Sequence, residues 1–142
     1  MLSKKTVYAL HALTFLARRH GDGPILISEV SDTCKIPKKF LENILLELKN
    51  IGILSSKKGK GGGYYLIKEP EDITLAKIIR MFNGPIALVP CVSLNFYEKC
   101  DSCMSENVCG LNKIMIEVRD ETLKILENSS LRDVLDNDEK FL

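Results

Sequence analysis

Four of the five cysteines in this 142-residue chain fall within nineteen residues, as Cys91-x8-Cys100-x2-Cys103-x5-Cys109. Four thiols in one loop can converge on a tetrahedral sulfur site of the kind that holds zinc or an iron–sulfur cluster. The spacing is not the paired CxxC…CxxC of a zinc ribbon, because only Cys100 and Cys103 form a CxxC. No histidine is near, since His11 and His20 both lie close to the N-terminus. Asp101 and Glu106 make the segment acidic and point to a solvent-accessible loop. On composition alone, a metal site and redox-active thiols are equally open. Cys34 stands apart and reads as a small core residue.

A second group of residues suits a nucleic acid. Residues 35–60 hold seven Lys against Glu42 and Glu47, a net +5, whereas residues 91–142 carry six basic and eleven acidic side chains, a net −5. The total of +1 therefore conceals a basic segment able to meet a polyanion. Within it, Lys38, Lys39, Glu42 and Asn43 occupy the front of a predicted helix. There Asn can pair bidentately with adenine and Glu can accept from the cytosine amine. Lys57, Lys58 and Lys60 on a following hairpin would reach phosphates or the minor groove, with Gly61, Gly62 and Tyr64 completing the candidate set. The run Gly59-Lys60-Gly61-Gly62-Gly63 lacks the GxxxxGK-Ser/Thr order of a phosphate-binding loop and opens no helix, so it reads as a tight turn.

The elements that must carry these residues follow from periodicity and punctuation. Apolar spacing at Val7, Leu10, Leu13 or Thr14, and Ala17 predicts a first helix over Ser3–His20, stopped by Gly21-Asp22-Gly23-Pro24. After a short apolar stretch at Ile25–Ile27, Ser28 is the expected cap of a second helix, Glu29–Cys34. Pro37 opens a third, to Asn50, with Phe40, Leu41, Ile44, Leu45 and Leu48 on one face. Two short strands, Ile53-Leu54 onward and Tyr64–Ile67, flank the glycine turn. Thr74 caps a fourth helix, Leu75–Asn83, ended by Gly84-Pro85. The cysteine loop spans about 86–109, and a long helix then runs from Gly110 to Glu127. Ser130 with Asp133 predicts a capping box before a last short turn. Helix, turn, basic helix and hairpin together make a winged helix-turn-helix pattern, mainly α with a small β wing.

In the long helix Leu111, Val118 and Ile125 recur every seven residues, flanked by Ile114, Met115 and Leu126. This predicts a dimerisation helix with a short coiled-coil-like seam, and DNA readers with one recognition helix commonly dimerise on palindromic sites. No apolar run approaches the ~18 residues that cross a bilayer. The stretch Val7–Ala17 is followed by Arg18-Arg19-His20 where a secretory cleavage site would lie, so a reducing cytoplasm is expected. There is no nucleophile elbow or His cluster to suggest an enzyme.

The segment from Ile27 through Arg80 resembles the winged-helix part of the bacterial family that includes IscR, NsrR, CymR and RirA. The specific motif is basic residue-Gly-x-Gly-Gly-Gly-Tyr, here Lys58 to Tyr64, followed by Leu66 and by Glu71-Asp72-Ile73-Thr74-Leu75. The likeness runs from Met1 to about Leu135. It implies a homodimeric transcription regulator whose long C-terminal helices cross at the interface, many members holding an iron–sulfur cluster in the loop before that helix. By position, Glu42 matches the family's base-reading Glu, Asn43 a neighbouring Gln, and Lys58 the usual wing Arg. Cys91, Cys103 and Cys109 match the three-cysteine set, although eleven residues between the first two exceed the usual five to seven. Asn112 stands where IscR-like proteins place a His ligand, and Tyr8 where NsrR-like ones place an acid. With both customary fourth ligands missing, the extra thiol of Cys100 is expected to complete an all-cysteine site.

The resulting expectation is a DNA-binding transcription regulator and repressor, not an enzyme, controlled by an iron–sulfur cluster of the 2Fe–2S or 4Fe–4S type on Cys91, Cys100, Cys103 and Cys109. Its partners would be a palindromic double-stranded operator and a second copy of the chain, with no membrane. The alternative is a zinc-stabilised or cluster-free thiol-switch regulator. The expected organisation is a DNA-binding domain over 1–85, a sensor loop over 86–109, a dimerisation helix and short turn over 110–135, and a flexible tail over 136–142.

Overall fold

The computed structural model describes the backbone of residues 1–141 and the side chains of residues 1–139. Helix α1 (Lys4–Arg18) starts at Ser3, whose Oγ accepts from the Thr6 amide at 3.1 Å. Its buried face is Thr6, Ala9, Ala12, Leu13, Leu16 and Ala17, which takes in Leu13 and Ala17 of the expected stripe and leaves Val7, Leu10 and Thr14 outside it. The alanines explain the difference, because Ala9 and Ala12 let α1 lie close to its neighbouring helices, so the face runs through them and through Leu13 and Leu16.

Helix α2 (Ile27–Cys34) begins two residues earlier than expected, with Leu26 as its cap and no side-chain capping bond, so Ser28 lies inside the first turn. Lys35 ends it in the left-handed conformation at φ 56°, and Ile36 is buried. The turn is closed twice, by the Ile36 amide on the Ser31 carbonyl at 3.1 Å and by the Ser31 hydroxyl on the Ile36 carbonyl at 2.6 Å. Helix α3 (Lys38–Asn50) follows directly. Its Leu41, Ile44, Leu45 and Leu48 are fully buried. Each such burial contributes roughly 1.5–3 kcal/mol, well beyond differences in helix propensity, so packing decides which face of α3 is left to solvent. Phe40 departs from the expected face: it is 47% exposed and meets Tyr8 edge to face, ring centroids 5.9 Å apart.

Strands β1 (Leu54–Lys57) and β2 (Gly63–Leu66) pair antiparallel, Leu54 opposite Leu66 and Lys57 opposite Gly63. Ile25 adds a single bridge to Tyr64, its amide and carbonyl bonded at 2.8 and 2.9 Å, so the 25–27 stretch supports the wing at one residue only. Gly63 makes this possible: a Cβ there would lie 2.1 Å from the Ile25 carbonyl oxygen.

Helix α4 (Leu75–Asn83) is capped by Thr74 and ends at Gly84, as expected. The cysteine loop holds two short 3-10 turns, Pro90–Val92 and Glu106–Val108, before α5 (Gly110–Glu127). The Ser130–Asp133 capping box forms, with Ser130 N on Asp133 Oδ2 at 2.8 Å. It opens a full helix, α6 (Leu131–Phe141), rather than a short turn and flexible tail. Leu131 and Leu135 enter the core beside α1, and Arg18 bonds Asp138 at 2.6 Å; Leu142, the last residue of the expected tail, lies outside the described residues. Leu131 N also bonds Ile73 O at 3.0 Å and Leu75 N bonds Ser129 O at 2.9 Å, tying the junction of α5 and α6 to the start of α4.

Candidate nucleic-acid interface and cysteine site

The packing of α3 leaves Lys38, Lys39, Glu42 and Asn43 exposed on its N-terminal half. Glu47, the other acid of the basic segment, is bonded to Lys5 Nζ at 2.9 Å. Lys49 spans from α3 to the wing, its Nζ 2.7 Å from Ser56 Oγ. Lys57, Lys58 and Lys60 are exposed, and none of them pairs with a carboxylate among the described residues. The result is a surface of uncompensated cations on both helix and hairpin, suited to phosphates. The remaining candidates divide. Gly61 is exposed at the tip, whereas Gly62 is buried, a Cβ there falling 2.2 Å from the Lys57 carbonyl oxygen. Tyr64 is half-buried against the core and bonded to Ile25. Gly62 and Tyr64 thus build the wing, while the lysines and Gly61 face outward. Sequence reasoning missed Phe40 as a surface residue on α3, since an apolar residue beside Leu41 carries no sign of its exposure.

All four loop cysteines line one hollow of about 560 Å³ at the head of α5, beside Leu111 and Asn112. Cys91 lies in the Pro90–Val92 turn, fastened to α5 by Arg119 Nη1 on the Val92 carbonyl at 2.9 Å. Cys109 is the N-cap of α5 and its sulfur accepts from the Asn112 amide at 3.4 Å. Asn112 Nδ2 also donates to Cys91 Sγ at 3.5 Å, bringing the two cysteines to either side of one residue. Cys100 and Cys103 belong to the outer arm, where Cys103 N bonds Cys100 O at 3.0 Å and Tyr97 donates its hydroxyl proton to Glu106.

The arm's electrostatics are uneven. Hydrogen bonds from the Ser102 hydroxyl and backbone pull the exposed Cys100 thiol below its ordinary value. Partial burial, then the charge of Glu106, push Cys103 up. The bond to Glu106 drives the Tyr97 phenol up to about 12. Cys34 is half-buried against the core and shifted up by that burial.

No three His, Cys, Asp or Glu side chains among the described residues come together on one metal-binding point. The sulfurs share the hollow without having converged. As a donor set they nevertheless fit a soft metal centre: four sulfurs, no competing histidine, and N–H groups already directed at two of them. Sequence reasoning placed the cysteines but not the part played by the Asn112 amide. The signal available was its place three residues after the cap, where a helix points its free N–H back at the capping atom.

Along α5, Leu111 and Ile114 are 59% and 57% exposed, and Val118 and Ile125 are also open to solvent. Met115, expected with them, is half-buried instead.

A helix-turn-helix with a glycine-tipped wing, both carrying free lysines, is the arrangement of a DNA-binding transcription regulator. The chain belongs to the Rrf2 family, whose model, described as an iron-dependent transcriptional regulator, matches residues 2–137. An Rrf2-like HTH-type transcriptional regulator of Rhodobacter capsulatus is 38% identical over 138 residues, covering 95% of this chain and 92% of the relative. The solved structure of CymR, the global cysteine regulator of B. subtilis, matches with a TM-score of 0.77 at 30% identity, over 94% of this chain and 95% of that one. IscR of T. potens matches with a TM-score of 0.69 at 26% identity, over 99% and 89%. The resemblance read from the wing motif is borne out. No helix among the described residues is long and apolar enough to cross a membrane.

Proposed function

We propose that the chain is a homodimeric repressor that reads a palindromic operator and whose affinity for it is set by an iron–sulfur cluster on Cys91, Cys100, Cys103 and Cys109. The observation that carries the cluster reading is the presence of all four sulfurs around one hollow at the head of α5. A cluster bound there would supply a redox-sensitive group that is lost or altered under oxidant or nitrosative attack. The five thiols are all free, which suits a reducing cytoplasm.

Each protein element has a task in this reading. Glu42 and Asn43 face base edges, Lys38 and Lys39 fix the entry of α3, and Lys57, Lys58 and Lys60 with the Gly61 backbone grip phosphates. Leu111, Ile114, Val118 and Ile125, with Met115 at the edge, cover the same residues of a second copy. The loop over 86–109 joins the DNA-binding part to α5, so reordering it alters the spacing of the two recognition helices. Those helices must match half-sites about 34–36 Å apart, and a small change in spacing costs affinity.

Anaerobic purification followed by iron, sulfide and zinc counts and an absorbance spectrum tests the sensor. Iron with matching acid-labile sulfide, and an operator affinity that changes when both are removed, are the expected results. Zinc without sulfide, or thiols alone, would refute the cluster. A cluster-free thiol switch is the second reading, favoured by the exposure of Cys100 three residues before Cys103 in a closed turn. Oxidation that links these two and changes DNA affinity in metal-free protein is its signature.

A further inference from the structure

The geometry points to Asn112 as a positioning residue that clasps Cys91 to the first turn of α5 and tunes whatever group the sulfurs hold. Asn112 is only 8% exposed, and a buried carboxamide is costly unless its donors find partners. Its donors find sulfur. The side-chain Nδ2 reaches Cys91 Sγ at 3.5 Å, and the backbone N–H reaches Cys109 Sγ at 3.4 Å. One residue therefore touches the sulfurs at both ends of the loop, and among the described residues Cys91 Sγ accepts from no other group.

A second tie strengthens the first. Two turns along the same helix, Arg119 holds the Val92 carbonyl at 2.9 Å, so the Cys91–Val92 segment is fastened to α5 at two points. The outer arm is held differently: Cys100 bonds to Ser102 and to the Cys103 amide, Tyr97 to Glu106, and Glu98 N to the Pro90 carbonyl at 3.2 Å, while α5 reaches this side of the loop through Lys113 Nζ on the Asn107 carbonyl at 3.1 Å. The loop thus has a half whose sulfurs are fastened to α5, Cys91 with Cys109, and a half whose sulfurs α5 does not hold among the described residues, Cys100 with Cys103. For four sulfurs to converge, the outer arm moves in and the clasped pair stays. An N–H directed at a ligating sulfur also withdraws electron density from it, which raises the reduction potential of the bound group and slows its loss. This rests on the cysteine-site reading above.

Asn112→Leu and Asn112→Asp test it in the full-length chain. Asp matches Asn in shape, lacks the donor, and is a favoured residue in the first turn of a helix, so it controls for folding. The first measurement is amide hydrogen exchange in cluster-free protein. Faster exchange at residues 90–93 and 109–113 is expected in both variants, with residues 97–106 unchanged. The second, on protein reconstituted with iron and sulfide, is the midpoint potential and the rate of loss to a chelator. A lower potential and a roughly 10–100-fold loss of retention are expected, the range seen when partners of metal ligands are removed. Wild-type exchange in both variants overturns the clasp, as does a wild-type potential and retention in both. If the wild-type chain takes up no cluster, faster exchange upholds the clasp while the cluster reading fails. If all three proteins load alike at one potential, the clasp fails and the cluster reading stands.

Discussion

Replacing Lys57, Lys58 and Lys60 together with Ala isolates the electrostatic work of the wing. All three are exposed and none pairs with a carboxylate among the described residues, so each is free to displace a counterion from DNA. The slope of log affinity against log salt falls by about 0.9 for every phosphate that is no longer neutralised. The proposed dimer presents two wings, so the triple variant frees six phosphates and flattens the slope by about 5. Over the fourfold range from about 50 to 200 mM salt, the variant's affinity therefore declines about a thousandfold less than the parent's. Fluorescence anisotropy on a random-sequence duplex at several salt concentrations reads the slope without knowledge of the operator. Because the side chains are solvated, unfolding stability should stay within about 0.5 kcal/mol of the parent. A parental slope in the triple variant, with the fold intact, would show that the wing does not touch phosphate.

Three further outcomes are expected. Glu42→Ala should relax sequence preference at one position per half-site, losing about 1–3 kcal/mol of discrimination, read by selection from a random duplex pool. Gly63→Ala should cost about 2–4 kcal/mol in urea unfolding, because the new Cβ meets the Ile25 carbonyl and strains the backbone at φ 145° while breaking the bridge to Tyr64. Ile114→Asp with Val118→Asp should leave the chain folded but monomeric in sedimentation, since both side chains are exposed in the single chain.

The parts of the fold that are legible in the sequence are those where one local rule acts alone. The buried face of α3 follows from a 3.6-residue period at Leu41, Ile44, Leu45 and Leu48, and α5 spans the expected Gly110–Glu127 between a cysteine cap and an Asn-Ser-Ser break. What cannot be read is set by distant partners. Helix α6 looks like a tail because it is rich in Asp and Glu. It is held by Leu131 and Leu135 in a core built mostly from the first half of the chain, and by an ion pair between residues 18 and 138. The face of α1 is legible only in part: Leu13 and Ala17 fall on the expected stripe, whereas Ala9 and Ala12 carry little apolar weight in a periodicity count yet permit the closest approach. At the cysteine site, spacing identifies the four thiols. Which two are tied to α5 depends on Asn112 and Arg119, whose partners lie 21 and 27 residues away.

In the proposed mechanism, the attachment of α5 would decide how a change in the loop reaches DNA. At its C-terminal end the helix is secured by Arg80 on Glu127 at 3.1 Å and by the backbone bonds that join Ser129 and Leu131 to the start of α4. Over its N-terminal half it is bonded, among the described residues, to the cysteine loop through Asn112, Lys113 and Arg119. Such a helix pivots more readily than it slides. Eighteen residues make a lever of about 27 Å, so a tilt of about 5° moves the head of the helix by about 2.4 Å. The apolar seam from Leu111 to Ile125 lies along this lever, so in the proposed dimer a pivot in each copy would change the angle at which two copies meet. Because α4 and α6 both pack on α1, which also supports α3, each recognition helix follows its own core. In the proposed dimer, a rearrangement of the loop that shifts the clasped pair, Cys91 and Cys109, would tilt the head of α5 and take one recognition helix out of register with its half-site.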